Sequence, residues 1–277
     1  MNDHGGYEAL AAALGNVEIV DLTVPLAEGL PANWPTHMPF QRKVYNWYAA
    51  QDHPTQPLHG FRGPYYTAFL TLDEHCGTHI DSPAHFIPPP DSGLPHASEM
   101  GLITLDKVPL NRMMGPARVV DATDLKDTGE PGTSPQISTE HVLRHEADYG
   151  KLEPGDIVLF RSDWDEHYVP IPDGGGAYAA DPFLAGRGPG WPAPGIPCLE
   201  LLLERGVMTL GLDGVSVGGV DDPAPAHHYG LGKGMLYIEL LANLKKLPPN
   251  GAWFVYLPLN IRGGSAGPGR AIAFVPK

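Results

Sequence analysis

Residues 73–86 read "DEHCGTHIDSPAHF", and the rest of the chain is read differently depending on whether this stretch is helix or extended chain. Three histidines and two aspartates fall within its fourteen residues. His75 and His79 share the spacing of the H-E-x-x-H helix of zinc proteases. Gly77 lies between them, however, and Pro83 follows closely; both oppose a helix. Extended chain fits better. Alternation then places His75, His79, Asp81 and His85 on one side, and the strand formers Thr78 and Ile80 on the other. Four fully extended residues span roughly 13 Å, too far for two imidazoles to meet on one ion with bonds of about 2.0–2.1 Å. The chain is therefore expected to bend between His75 and His79. Gly77 permits the bend, and its missing side chain is expected to leave room for an ion. Pro83 then turns the chain so that His85 returns toward the site. Two imidazoles and a carboxylate suit Zn²⁺, Mn²⁺ or Fe²⁺, and three protein ligands leave positions open for water and substrate. The competing reading is a polar loop of surface or capping histidines.

Around this stretch, short runs rich in aliphatic, β-branched and aromatic residues predict strands over 17–24, 65–72, 117–122, 155–162, 207–213, 235–241, 252–259 and 271–275. Several are apolar on both faces, as expected of strands covered on both sides. Helices are fewer. Residues 138–150 have Ser138 as N-cap and Gly150 as stop. Residues 197–206 have Pro197 near the start and Gly206 past the end, and 7–14 form a short N-terminal helix. This mixed order reads as one α/β domain over 1–277, with no internal repeat. Residues 172–195, "PDGGGAYAADPFLAGRGPGWPAPG", read as a long loop without regular structure, expected to be a lid or a subunit contact.

The chain has 277 residues, enough for one large domain or two small ones. Its net charge of −14 argues against nucleic acid or an anionic membrane as a partner. The N-terminus lacks a basic region followed by an apolar run, and no apolar stretch reaches the roughly 18 residues of a membrane span. With only two cysteines, Cys76 and Cys198, a disulfide framework is not expected, and a reducing cytoplasm is the expected compartment.

The pattern H-x-G-T-H-x-D-x-P-x-H is matched by His75, Gly77, Thr78, His79, Asp81, Pro83 and His85. In this the chain resembles the metal-dependent cyclase family, whose members include bacterial kynurenine formamidases and isatin hydrolases. The likeness runs over about residues 17–275, through "VEIVDLTVPLAEGLP", "LEPGDIVLFRSDW", "GVMTLGLDGVSV" and "GPGRAIAFV". It implies a mixed β/β/α swivelling fold with a barrel-like strand core and few helices, a homodimer or homotetramer, and a small-molecule substrate. It also implies a divalent metal, Zn²⁺ or Mn²⁺, with one or two ions per subunit. His75, His79 and Asp81 would hold the first ion. His227 and, twelve residues on, Glu239 would support a second, with Asp81 as a bridge. Glu239 lies in an apolar β-type run, where an unpaired carboxylate is costly to bury and a cation would resolve that cost. His228 competes with His227 for the ligand role.

His85, not needed as a ligand, would be the general base and then the acid for the leaving nitrogen. An ordinary imidazole pKa near 6.5 suits both tasks. The implied reaction is hydrolysis of an aryl formamide or cyclic amide by metal-activated water. The alternatives are a lactone hydrolase, a biosynthetic cyclase or dehydratase, and a non-catalytic small-molecule-binding protein on the same scaffold.

The chain departs from the family in places. Where the family commonly reads R-T-G-W, this chain has Arg161, Ser162, Asp163 and Trp164. The family's aspartate after G-I-D-x-x-S is displaced here within "VGGVDD". Aromatic residues in 47–66 and 172–195 are candidates to line an apolar pocket. "GVSVG" (214–218) fits the nucleophile elbow of serine hydrolases. An elbow must feed a helix, however, and Pro223 and Pro225 follow, so Ser216 is not read as a nucleophile. Cys76 is read as a small buried residue pointing away from the site.

Overall fold

The computed structural model describes residues 5–48, 53–55 and 63–277. Its strands are β1 (Val17–Asp21), β2 (Gln41–Trp47), β3 (Tyr66–Thr71), β4 (His79–Asp81), β5 (Met114–Asp121), β6 (Gln136–Ile137), β7 (Ile157–Arg161), β8 (Ala193–Pro194), β9 (Thr209–Leu212), β10 (Leu236–Glu239), β11 (Trp253–Pro258) and β12 (Ala266–Pro276). The helices are α1 (Gly5–Gly15), α2 (Thr139–Tyr149), α3 (Ala180–Ala185), α4 (Ile196–Glu204) and α5 (Ala224–Gly232). Among the described residues no helix is long and apolar enough to cross a membrane.

The strands hydrogen-bond in the order β12-β11-β5-β7-β9-β10-β4, and β4 returns to β12. Seven strands thus close into a barrel, with β1 flanking β12 outside the ring. Closure leaves these seven without an unpaired edge. The β5-β7-β9-β10 quartet is parallel and the remaining ring contacts are antiparallel.

Burial follows from the strand period. In β7, Leu159 packs with Ile238 and Phe254 in one cluster. Its neighbours Val158 and Phe160 pack with Val142 of α2 and Leu199 and Leu202 of α4 in another. β9 and β10 are buried throughout, which explains why their sequences show no polar alternation. The predicted helix ends hold. Ser138 and His141 form a reciprocal cap at the start of α2, and Gly150 at φ 87° ends it.

Several features differ from the sequence reading, among them β2 and β6, which match no expected strand. β4 is only three residues long, too short to announce itself by periodicity. α5 forms in spite of its prolines, because Pro223 is its N-cap and Pro225 lies in the first turn, where no backbone N–H is needed. It begins eight residues after Ser216, so Ser216 does not sit at a strand-to-helix elbow. Residues 172–195 are folded, with helical turns, α3 and β8. Their aromatic residues show no period because each is spent singly. Tyr178 and Trp191 are fully buried; Tyr178 Oη donates to Asp213 O, and Trp191 Nε1 donates to Ser216 O and Gly218 O.

α5 is held against β10 at close range. Tyr237 Oη donates to Ala226 O at 2.8 Å. A Cβ on Gly230 would lie 1.7 Å from that hydroxyl oxygen. Gly230→Ala is therefore expected to cost about 1–3 kcal/mol of stability, read as a lowered denaturant midpoint. Adding Tyr237→Phe should recover part of the loss. Gly15→Ala, with open space around it, should leave the midpoint in place. An unchanged midpoint for Gly230→Ala would refute the packing argument.

Candidate metal centre

The bend expected in the opening stretch is present, with Gly77 at φ 65°. The space beside it is not an ion's. A Cβ there would lie 2.5 Å from Leu26 Cδ2, so Gly77 is needed for its backbone angle and for the approach of Leu26. The four acid and imidazole side chains do not line one strand either. His75 lies in a turn whose N–H donates to Asp73 Oδ1. His79 and Asp81 occupy β4, and His85 ends a 3-10 turn opened by Pro83. The turn nonetheless returns His85 to the cluster, with its ring centroid 3.9 Å from that of His75. Thr78, facing the other way, pins β4: its hydroxyl donates to Leu240 O and accepts from Val24 N.

β10 supplies the second carboxylate by register. His79 pairs directly with Glu239, and Asp81 with Tyr237. Directly opposed residues have Cβ atoms about 4.5–5.5 Å apart, so the pairing brings Glu239 to His79 without help from a loop. α5 brings His227. His79 Nδ1 donates to Gly77 O at 2.8 Å and His227 Nδ1 to Pro223 O at 2.7 Å. Both Nε2 atoms thereby face inward, the arrangement that orients metal-ligating histidines.

The resulting distances are short and uniform. His75 Nδ1 lies 3.0 Å from Asp81 Oδ1, and His79 Nε2 lies 3.5 Å from Asp81 Oδ1 and 3.4 Å from Glu239 Oε2. His227 Nε2 lies 3.7 Å from Asp81 Oδ2 and 3.4 Å from Glu239 Oε1. His75, His79 and Asp81 form one group of ligand atoms within 4.8 Å of one another; Asp81, His85 and His227 form another. Asp81 belongs to both, and His85, read from sequence as a residue not needed as a ligand, belongs to the second. His228 is turned elsewhere, stacked on His96 at 3.9 Å.

Charge explains why a cation fits here. Asp81 and Glu239 are buried carboxylates, and among the described residues their ion-pair partners are histidines alone. Both Asp81 oxygens and His79 Nε2 are buried without a hydrogen bond among the described residues, a costly condition unless a cation satisfies them. Burial pushes the Asp81 pKa up, but His85, His75 and His79 outweigh it and hold the carboxyl well below the usual range. Burial and Asp81 also raise Glu239, while His227 and His79 bring it to about 2. Burial lowers His79, yet Glu239 and Asp81 carry it up to about 9. His85 behaves differently. Burial pushes it down to about 3, against the pull of Asp81, so the ordinary value near 6.5 expected from sequence does not apply. The donor set of imidazoles and carboxylates fits a divalent metal.

Above the cluster lies a cavity of about 330 Å³ walled by Trp34, Phe86, Phe183, Val215 and Leu240, with His37 also on its lining. Among the described residues, only Phe183 belongs to a segment singled out for pocket aromatics. Trp34 and His37 carry no sequence signal, since they come from an irregular stretch before β2. Among 47–66, Trp47, Tyr48, Tyr66 and His53 pack on one another and do not line this cavity; residues 49–52 and 56–62 of that stretch lie outside the described residues. Cys76 is buried near Ala32 and Phe40, away from the cluster, and burial pushes its thiol up to about 11. Ser216 lines the cavity, but its Oγ accepts from Gly218 N and has no histidine partner among the described residues.

The departure at Asp163 has a conformational reason. Asp163 sits at φ 58°, the left-handed region that favours glycine and that aspartate tolerates. Arg161 holds its carboxylate. Asp213 accepts from Ser162 N and Asp163 N, and Asp165 accepts from Asn243 N, so this acidic group is satisfied from within the protein.

These shifts set a pH dependence for the metal-free chain. His79, raised from 6.5 to about 9, stabilises the fold fully below 6.5 and loses that contribution as pH rises through 9. Glu239, lowered from 4.5 to about 2, contributes above 4.5 and fails only as pH falls through 2. The chelator-treated chain should therefore lose thermal stability between pH 6.5 and 9. Added Zn²⁺ or Mn²⁺ should raise its melting temperature more at the alkaline end, where the ion no longer competes with a proton. A shift on metal addition that is the same at both ends would contradict this account.

The known proteins that this chain is similar to agree with the geometry. A family model described as "Putative cyclase" matches residues 20–218. The isatin hydrolase of Roseibium aggregatum is 30% identical over 292 aligned residues, covering all of both chains. The kynurenine formamidase of Salinibacter ruber is 30% identical over 215, covering 73% of this chain and 77% of the relative. The solved structure of isatin hydrolase A from Labrenzia aggregata bound to benzyl benzoate superposes with a TM-score of 0.74 at 25% identity, covering 98% of this chain and 100% of that one. With a family model matching most of its length, a relative similar from end to end, and a closed barrel holding the histidine–aspartate motif, the chain belongs to the cyclase family.

Proposed function

We propose that this chain is a metal-dependent hydrolase that opens the amide C–N bond of a small aromatic formamide or cyclic amide. The observation that supports this most is the gathering of His75, His79, Asp81, His227 and Glu239, with neighbouring ligand atoms 3.0–3.7 Å apart, directly beneath an aromatic-walled cavity. The named relatives, an isatin hydrolase and a kynurenine formamidase, support the same bond type. His75, His79, Asp81, His227 and Glu239 would hold one or two ions. When bound, the metal lowers the pKa of a water molecule and polarises the substrate carbonyl. Either Zn²⁺ or Mn²⁺ suits this mixture of imidazole and carboxylate.

The chain's own residues do the rest. His79 and His227 are held in one tautomer by Gly77 O and Pro223 O, so their lone pairs need no reorganisation. Val217 N donates to Glu239 Oε1 at 2.7 Å and fixes that carboxylate. His85 is neutral and lies in the cluster, and it would take a proton from the attacking water, a transfer that burial makes uphill. Once protonated it is a strong acid, able to pass that proton to the leaving nitrogen. Trp34, Phe86 and Phe183 would hold an aromatic ring and exclude bulk water. Cys76 and Cys198 are buried and free, which supports a reducing compartment such as the cytoplasm. A homodimer or homotetramer belongs to the same reading, favoured by exposed Tyr45, Phe69 and Leu70 on the β2–β3 hairpin.

The test combines metal content with turnover of N-formylkynurenine, isatin and simple lactones. His85→Ala should keep its metal and lose about 10²–10⁴-fold in kcat, whereas His79→Ala should lose the metal itself. Ser216→Ala should retain metal and turnover. Normal hydrolysis by His85→Ala would remove its role as base, and turnover of lactones alone would favour the lactonase reading.

A further inference from the structure

A second cavity, of about 340 Å³, shares no lining residue with the aromatic one. Its walls are largely apolar, with Ile103, Met208 and Leu236 among them, yet three cations, Lys107, Arg112 and Lys233, also line it and, among the described residues, no carboxylate does. That combination is unusual in a chain of net charge −14. Elsewhere Arg118, Arg161, Arg205 and Arg270 each face an acid.

Arg112 is half-buried. Its Nη2 donates to Met208 O and Gly234 O, and its Nε–H is buried without a partner among the described residues. Burial lowers its pKa, and no acid offsets that burial. Lys107 donates to Leu102 O, and Lys233 has no ion pair or side-chain hydrogen bond among the described residues. The acid beside Lys107 in sequence, Asp106, is turned to Thr104 Oγ1 and Gly263 N. A guanidinium held by two carbonyls is positioned but not neutralised.

We propose that this cavity is a second ligand site that takes a small organic carboxylate with an apolar body. The volume falls within the range of small-molecule sites, about 300–1,000 Å³. Lys107, Arg112 and Lys233 supply the charge that recognises the carboxylate, and the aliphatic walls receive the rest. The ligand lies behind the metal centre, on the supports of its side chains. Pro83 opens the turn that ends in His85, Gly234 lies just beyond α5 with its His227, and Leu236 starts the strand that ends in Glu239. The inference stands independently of the reaction proposed above.

Calorimetric titration of the metal-free full chain tests it, with benzoate as probe, benzamide as its neutral counterpart, and inorganic phosphate as an anion without an apolar body. Benzoate should bind saturably and more tightly than either. Lys107→Gln combined with Lys233→Gln, both exposed positions, should weaken benzoate by about tenfold. Phe183→Ala in the aromatic cavity should leave benzoate binding unchanged. Arg112→Met should abolish it, with the unfolding midpoint measured alongside. The assignment is overturned if benzoate gives no saturable heat, if benzamide or phosphate binds as tightly, if the double lysine variant binds benzoate like the parent, or if Phe183→Ala removes binding.

Discussion

β4 is pinned between two strands that arrive much later in the chain. It pairs with β10 through His79 opposite Glu239, and with β12 through His79 opposite Pro268. This one strand closes the barrel and sets two carboxylates beside three imidazoles. A register slip by one residue would turn His79 and Asp81 to the opposite face and bring Ile80 into their place. Most neighbouring contacts serve to prevent that slip. Thr78 bonds on both sides of the strand, Tyr256 Oη donates to Thr78 O and Gly267 O, and Glu74 holds Ser265 next to His75.

Within the cluster, burial alone would neutralise every group, and proximity decides which ones resist. His79 lies against both carboxylates and gains proton affinity, while His85 is buried next to other imidazoles and loses it. Residues of one type, a few ångströms apart, are thus sorted into different roles by what faces them. Such sorting rests on structure, since the quoted stretch contains three histidines with nothing to rank them.

Much of the fold was legible because its signals are local. The runs that became β5, β7, β9, β10, β11 and β12 are apolar and bounded by turn residues, and the caps of α2 are written in Ser138 and Gly150. The spacing around Gly77 announced a bend, and the motif pointed to residues that the fold gathers into one cluster. Other features depend on distant partners and left no local trace. The need for Gly77 comes partly from Leu26, some fifty residues earlier. α5 was hidden by prolines that its first turn tolerates. The joining of His227 to Glu239 came from family resemblance, because positions twelve apart, one on a helix and one on a strand, have no common period. The low pKa of His85 and the aromatic walls from Trp34 and Phe183 needed the folded chain.

The double pairing of β4 also orders events in time. His75, His79 and Asp81 leave the ribosome well before Glu239, and β12 emerges later still. Until β10 and β12 have been made and paired, the early histidines have neither the opposing carboxylate nor the enclosing barrel. The contacts that complete the centre span most of the chain, and contacts of such long sequence separation are among the slow steps of folding. Completion of the centre therefore falls at the end of folding, when the last strands of the chain have closed around its first histidines.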